Sequence, residues 1–346
     1  MTVLKFWQAV NAALDEELSA DPSVVLFGED VGRPGGPFGA SRGLQERHGA
    51  ARVRDTPIAE GAITGIAVGA AMCGLRPVVE IMYFDFITLA MDQLVNQAAK
   101  MRYMSGGTLT VPMTMLTFCG AGRGSGPQHS QSLEAWLANV PGLTVVYPSN
   151  PADAKALLKA SIQSADPVVF IESSRLWTVR GELPDGDHRA AIGQASIPRP
   201  GSDVTIVSWG WALTRCLAAA ELLAAEGIEA EVVDLRTIMP LDANAVLSSV
   251  ARTGHVVIVH DAAGPYGPGA EISATIAEHG FGHLRAPIVR VTAPFAPAPF
   301  ATRLEHAFYP ADARIAAAAA ELLGHRIGAA VPNPGRHIDV KEKTAT

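Results

Sequence analysis

Cysteine is scarce in this chain of 346 residues: Cys73, Cys119 and Cys216 are widely spaced and form no CxxC pair. That argues against a disulfide framework and a structural zinc site, and it fits a reducing cytoplasm. An excess of positive charge is also missing. The 27 Lys and Arg stand against 34 Asp and Glu, a formal charge of -7, and no basic run carries interleaved aromatics, so nucleic acid is not an expected partner. No apolar run reaches ~18 residues without glycine-rich interruption, and the longest, near residues 61–75, lacks aromatic or basic anchors on both sides. No membrane association is expected. The opening MTVLKFWQAVNAALDEELSADP carries three acids by Glu17 and has no small-residue cleavage site, so it reads as a first helix and not a signal.

Nucleotide and metal motifs are absent as well. Neither Walker A nor HExxH occurs, and no metal ligand set is expected. Gly120-Ala121-Gly122-Arg123-Gly124-Ser125-Gly126 follows a strand, yet no helix begins at its third glycine and no acid caps a following strand. The prolines of Gly264-Pro265-Tyr266-Gly267-Pro268-Gly269 remove the N–H groups that would cradle a phosphate.

What is present is enough apolar residue, 48%, to fill two cores, arranged in a strand–helix alternation. Strands are expected over 23–27, 77–83, 111–118, 143–147 and 167–172. Helices are expected over 85–104, 133–140 and 151–163, the last opened by Ser149 or Asn150. Residues 181–202 (GELPDGDHRAAIGQASIPRPGS) show no sustained period and read as a connection. A second alternation runs from Asp203 to Leu323. The expected fold is α/β, with two units, 1–180 and 203–330, each a mainly parallel sheet flanked by helices. A linker (181–202) joins them and a polar tail (331–346) follows.

Within the first unit, Arg52-Val53-Arg54-Asp55-Thr56-Pro57-Ile58-Ala59-Glu60-Gly61 runs into an uncharged Gly- and Ala-rich helix. Pro57 suits a first turn, Thr56 is a candidate cap, and Glu60 lies near the positive helix end. The helix is expected to pack on all sides and to leave the Glu60 carboxylate partly desolvated. Dipole complementarity explains such an acid as well as proton exchange does, and local sequence leaves both open. His129, in the polar loop Gly126-Pro127-Gln128-His129-Ser130-Gln131-Ser132, is either solvated or a proton donor whose tautomer its polar neighbours fix.

The segments GED, GGPF, DTPIAE, GLRPVVEIMYFDF, MDQLVNQAAKMRYMSGG, GPQHSQSLEAW, PGLTVVYPS, PADAKALL, DLRTIMPLD and PGAEI together resemble one family. It is the beta subunit of the thiamine-diphosphate-dependent first component of 2-oxo acid dehydrogenase complexes, of the pyruvate, branched-chain and acetoin types. The likeness covers about residues 3–325 and implies a transketolase-like pyrimidine-binding domain followed by a transketolase C-terminal domain. It implies that Glu60 bonds the aminopyrimidine ring nitrogen and favours the imino tautomer, whose nitrogen removes the thiazolium proton. By the same resemblance Ile58, Met82 and Phe86 line the pyrimidine pocket, with Phe86 stacked on the ring. His129 faces the thiazolium and the substrate or lipoyl group. Glu29 joins an acidic proton relay between active sites, while Arg236 and Asp242 organise domain and subunit contacts.

The GDG motif and following Asn that hold Mg²⁺ and the diphosphate are missing, and Asp185-Gly186-Asp187 has neither their order nor their context. The resemblance therefore implies an alpha subunit carrying them in a two-alpha, two-beta assembly, and a lipoyl domain of the acyltransferase component as acceptor. Relatives usually have an Arg where this chain has Leu116. The expected activity is decarboxylation of a 2-oxo acid, or cleavage of acetoin, with acyl transfer to lipoyl-lysine. A split transketolase or acyloin-forming carboligase uses the same Glu60 without a lipoyl acceptor. A non-catalytic partner is disfavoured by the intact DTPIAE and QHSQS.

Overall fold

Four apolar runs, Val24–Gly28, Arg76–Ile81, Thr114–Cys119 and Val168–Ser173, are almost wholly buried. Continuous burial of this kind is what parallel strands covered on both faces require. In the computed structural model, which describes residues 2–325 apart from 185 and 187, they form the middle of a seven-stranded sheet. Its order is Thr237–Met239, Thr144–Val146, Val168–Ser173, Thr114–Cys119, Arg76–Ile81, Val24–Gly28, Val53–Asp55. Every pairing is parallel except the first. Helices Phe6–Ala20 and Pro151–Gln163 pack together over this half, burying Phe6, Val10, Leu14 and Leu18 on one side and Ala154, Leu157, Leu158 and Ile162 on the other. Asn150, of the two candidate caps, accepts the Asp153 N–H at 2.9 Å.

The second sheet has the order Val289–Ala293, Val256–Ala263, Val204–Ser208, Ala230–Asp234, Ser196–Arg199, parallel except for the last strand. One apolar cluster runs from the first sheet through Trp209, Trp211, Leu235 and Ile238 to Val256, Ile258 and Ile272, so the two sheets share packed side chains. A second cluster, with Ile206, Val232 and Val257 against Leu213, Leu223 and Ala319, covers the other face.

Four local expectations change. Thr56 and Pro57 lie outside the helix, which runs Glu60–Met72 with Ala59 at its N-cap and no side-chain cap. The same helix buries Ile63, Thr64, Ala67, Val68 and Ala71 but leaves Ile66 59% exposed, so within this chain it is packed on one side only. Residues 85–104 are helical but not one α-helix: a tight 3₁₀ turn (Phe84–Ala90) and a wide π turn (Asp92–Ala98) precede Ala99–Met104. Such departures from the α repeat cluster at functional sites. The stretch 181–202 carries strand residues at both ends: Arg180–Leu183 pairs with Thr2–Lys5, and Ser196–Arg199 edges the second sheet. Those two ends pair with distant partners, which local periodicity does not reveal. The DGD acids Asp185 and Asp187 and the tail 331–346 lie outside the described residues.

Candidate active site

In an open parallel sheet, ligands bind beyond the carboxyl ends of the strands. Here Val24–Gly28 delivers Glu29 and Asp30 to that edge, Arg76–Ile81 delivers Met82 and Tyr83, and Thr114–Cys119 delivers the loop containing His129. Glu60 opens the helix that follows Val53–Asp55. Its side chain is 6% exposed, and no donor among the described residues holds its carboxylate. Two residues earlier Ile58 is 78% exposed. Met82 and Phe86 are half-buried. The strand ends thus carry a buried carboxylate with no hydrogen-bond donor among the described residues, an exposed aliphatic side chain two residues before it, and the half-buried Met82 and Phe86.

Glu29 is 5% exposed and its Oε1 has no hydrogen-bond partner among the described residues. Burial first, then the charges of Glu60 and Asp30, push its pKa up. Two further acids, singled out by no motif, continue the series. Glu80 is pushed up to about 8 by burial and by Glu29, and Glu172 is raised well above the ordinary range by burial and by Glu80. Both had a signal in the sequence: each interrupts an apolar strand (VVEI, FIES) at a position the pattern assigns to the core. Leu116 pairs with Glu80 on one side and Phe170 on the other and is fully buried, so it supplies no cation to either acid.

This arrangement sets a pH dependence. A buried acid with a raised folded pKa keeps its proton in the native state while the unfolded chain loses it. The native state therefore binds more protons between about 4.5 and about 8, and the stability contributed by Glu80 is present at low pH and lost as pH rises. Glu134, Asp234 and Asp261, each raised to about 7 mainly by burial, act with the same sign. Glu80→Gln, neutral at every pH, is expected to match the parent near the acid end of this window and to become progressively more stable than it toward the alkaline end. Urea midpoints of the two proteins across the window measure this, and a constant difference would refute it.

His129 is half-buried between two aromatic edges, with ring centroids 4.7 Å from Tyr83 at 88° and 5.2 Å from Phe86 at 81°. The expectation that polar neighbours fix its tautomer is not met. Gln131 turns to Asp85, whose Oδ1 accepts its backbone N–H at 3.2 Å and its side-chain Nε2–H at 2.9 Å. Ser130 Oγ is buried without a partner among the described residues. Tyr83 also meets Phe38 edge-on, and Phe38 stacks on Phe118 at 3.8 Å, so the loop of the GGPF segment braces the ring beside His129. The structure brings Met82, Tyr83, Phe86 and His129 to one edge of the sheet, with Glu29 and Glu60 in electrostatic contact beside them.

Arg236 and Asp242 stand apart from this edge and join parts of the chain. Arg236, at φ 59°, bonds Asp153 Oδ1 at 2.9 Å and the Gln194 carbonyl. Asp242 accepts the N–H of Ala245 at its helix start and of Ala195. Among the described residues no three His, Cys, Asp or Glu side chains stand together as metal ligands, and the cysteines are free. No helix among them is long and apolar enough to cross a membrane.

Residues 3–178 match the family model of the transketolase pyrimidine-binding domain, and residues 193–315 match that of the transketolase C-terminal domain. The chain is 45% identical over 321 residues to acetoin:2,6-dichlorophenolindophenol oxidoreductase subunit beta of Cupriavidus necator, covering 90% of this chain and 95% of that one. It is 46% identical over 307 residues to pyruvate dehydrogenase E1 component subunit beta-2, mitochondrial, of Oryza sativa subsp. japonica, covering 88% and 82%. Among solved structures, a split gene transketolase, an inactive beta4 tetramer, superposes with a TM-score of 0.75 at 22% identity over 92% of this chain and 98% of that one. This last likeness concerns the fold.

Proposed function

The chain belongs to the beta-subunit family of thiamine-diphosphate-dependent 2-oxo acid dehydrogenases, and from that premise we propose that its strand-end wall holds the aminopyrimidine side of the cofactor at an interface with an alpha subunit. The observation that carries this reading is Glu60, buried and without a donor, next to exposed Ile58. A carboxylate so placed is complementary to a ring nitrogen that another chain presents, and burial strengthens the bond it makes there. Ile58, Met82 and Phe86 form the apolar wall around it. When bound, the cofactor supplies an acidic carbon that becomes the nucleophile and stores electrons after decarboxylation. Glu60 holds or shares a proton at the ring nitrogen, Glu29 exchanges protons with it, and His129 faces the substrate from between Tyr83 and Phe86.

The diphosphate and Mg²⁺ belong, in this reading, to the alpha subunit of a two-alpha, two-beta cytoplasmic assembly. The substrate is a pyruvate-like 2-oxo acid and the acyl acceptor is lipoyl-lysine on the acyltransferase component. The domain division proposed is 1–180 and 203–330, joined by 181–202. A second reading, an acetoin dehydrogenase beta subunit, is favoured by the likeness to the Cupriavidus subunit over 95% of its length.

Reconstitution tests both. The chain alone should bind thiamine diphosphate poorly and gain activity only with the alpha partner. Pyruvate, branched-chain 2-oxo acids and acetoin would then be compared with an artificial electron acceptor, with and without a lipoyl domain. Tight magnesium-dependent binding by the chain alone would overturn the shared site. Carbon–carbon chemistry without acyl transfer would replace the dehydrogenase reading with a carboligase.

A further inference from the structure

We propose that Glu305, from the second half of the chain, is a positioning residue that clamps the His129 loop. Glu305 lies in the short helix Thr302–Phe308 and is 1% exposed. Its Oε1 accepts the N–H of Gly122 at 2.9 Å and its Oε2 accepts the N–H of Gly124 at 2.8 Å, across 183 and 181 residues of sequence. Among the described residues those two amides are its only side-chain hydrogen bonds and it has no ion pair. A buried carboxylate is costly to desolvate, and hydrogen bonds to an ionised acceptor are the strong ones, so both oxygens are committed to this loop.

The clamp reaches His129 through a chain of direct contacts. The Phe300 ring, just before the same helix, lies against Gly126, and the carbonyl of Gly126 accepts the N–H of His129 at 3.3 Å. On the far side Asp85 holds Gln131. The loop backbone at His129 therefore lies between two carboxylate anchors, one from each half of the chain. Tyr83 and Phe86 bound where its ring lies, while Glu305 and Asp85 set where its backbone lies. On this account the second half is not only a packing partner. It places a side chain of the first half's active site.

The inference rests on the reading that His129 meets the substrate, and the experiment separates the two. Glu305→Gln and Glu305→Ala would be made in the reconstituted alpha–beta assembly, alone and with His129→Ala. Amide hydrogen exchange would be followed at residues 122–131 together with kcat and KM. The clamp predicts exchange faster by roughly tenfold or more at Gly122 and Gly124, extending to His129 and Gln131. It also predicts a fall in kcat larger than any change in KM, and no further fall when Glu305→Gln is added to His129→Ala. Faster exchange confined to Gly122 and Gly124, or losses that simply add, would overturn it. Should Glu305→Ala not assemble, Glu305→Gln decides alone, because it keeps the volume and one acceptor. Unchanged turnover in His129→Ala would remove the catalytic reading, and the exchange data would still decide the clamp.

Discussion

Glu60→Gln is expected to lower turnover of the reconstituted assembly by roughly 10²–10⁴-fold, the range for losing a positioned proton-transfer group. The change keeps volume and shape at the first helical position and alters only the charge. Two effects on stability oppose one another. Losing a negative charge at the helix start costs ~0.3–1 kcal/mol, while removing it from beside Glu29 relieves repulsion between buried acids. They act in opposite directions, so the unfolding midpoint is expected to move little, and urea denaturation separates a fall in activity from misfolding. Glutamine can still meet a ring nitrogen but cannot share a carboxyl proton with it, so cofactor affinity should fall far less than turnover. Turnover, cofactor binding by titration calorimetry and urea denaturation together decide the point. Near-normal turnover would sink the role given to Glu60.

Gly120→Ala is expected to be nearly as damaging to activity without touching any group that does chemistry. A Cβ built on Gly120 would overlap the carbonyl oxygen of His129 and lie 3.1 Å from the Tyr83 ring. Backbone and not a flexible side-chain end stands in the way, so the loop must move. Misplacing a catalytic group by about 1 Å can cost ~10²-fold, and turnover should fall by about that factor. The forced repacking adds ~1–3 kcal/mol of destabilisation. Gly282→Ala is the matched control, because its added methyl meets nothing within 4 Å. If Gly120→Ala retained full turnover while Gly282→Ala did the same, the loop would not be held as tightly as the structure shows.

Both predictions depend on features that differ in how visible they were before folding. The Glu60 carboxylate was legible at once as an acid at the mouth of an uncharged helix, and DTPIAE attached it to a family. Its surroundings were not. The Thr56 cap and the all-round packing of the following helix were inferred from residue type, and within this chain neither is met. Gly and Ala allow close packing but do not choose which side is packed, and that choice left Ile66 outside and Thr64 inside. His129 was visible as a polar loop residue, yet its neighbours were guessed from adjacent positions, whereas Tyr83 and Phe86 come from a different strand end.

What the amino-acid sequence determined by itself is the alternation of apolar strands and amphipathic helices, the start of the helix at Pro151, and the acid and histidine motifs with their family. These depend on spacing along the chain, where periodicity and residue type act directly. Tertiary structure alone decided the rest. It placed Glu29, Glu80 and Glu172 within electrostatic reach, because strand order sets which carboxylates become neighbours. It carried Thr237–Met239 from the second half into the first sheet, and it set Glu305 against two loop amides about half the chain away. The physical reason is common to all three: register and burial are cooperative and non-local, and desolvation has no sign in a string of residues until the chain has packed around them.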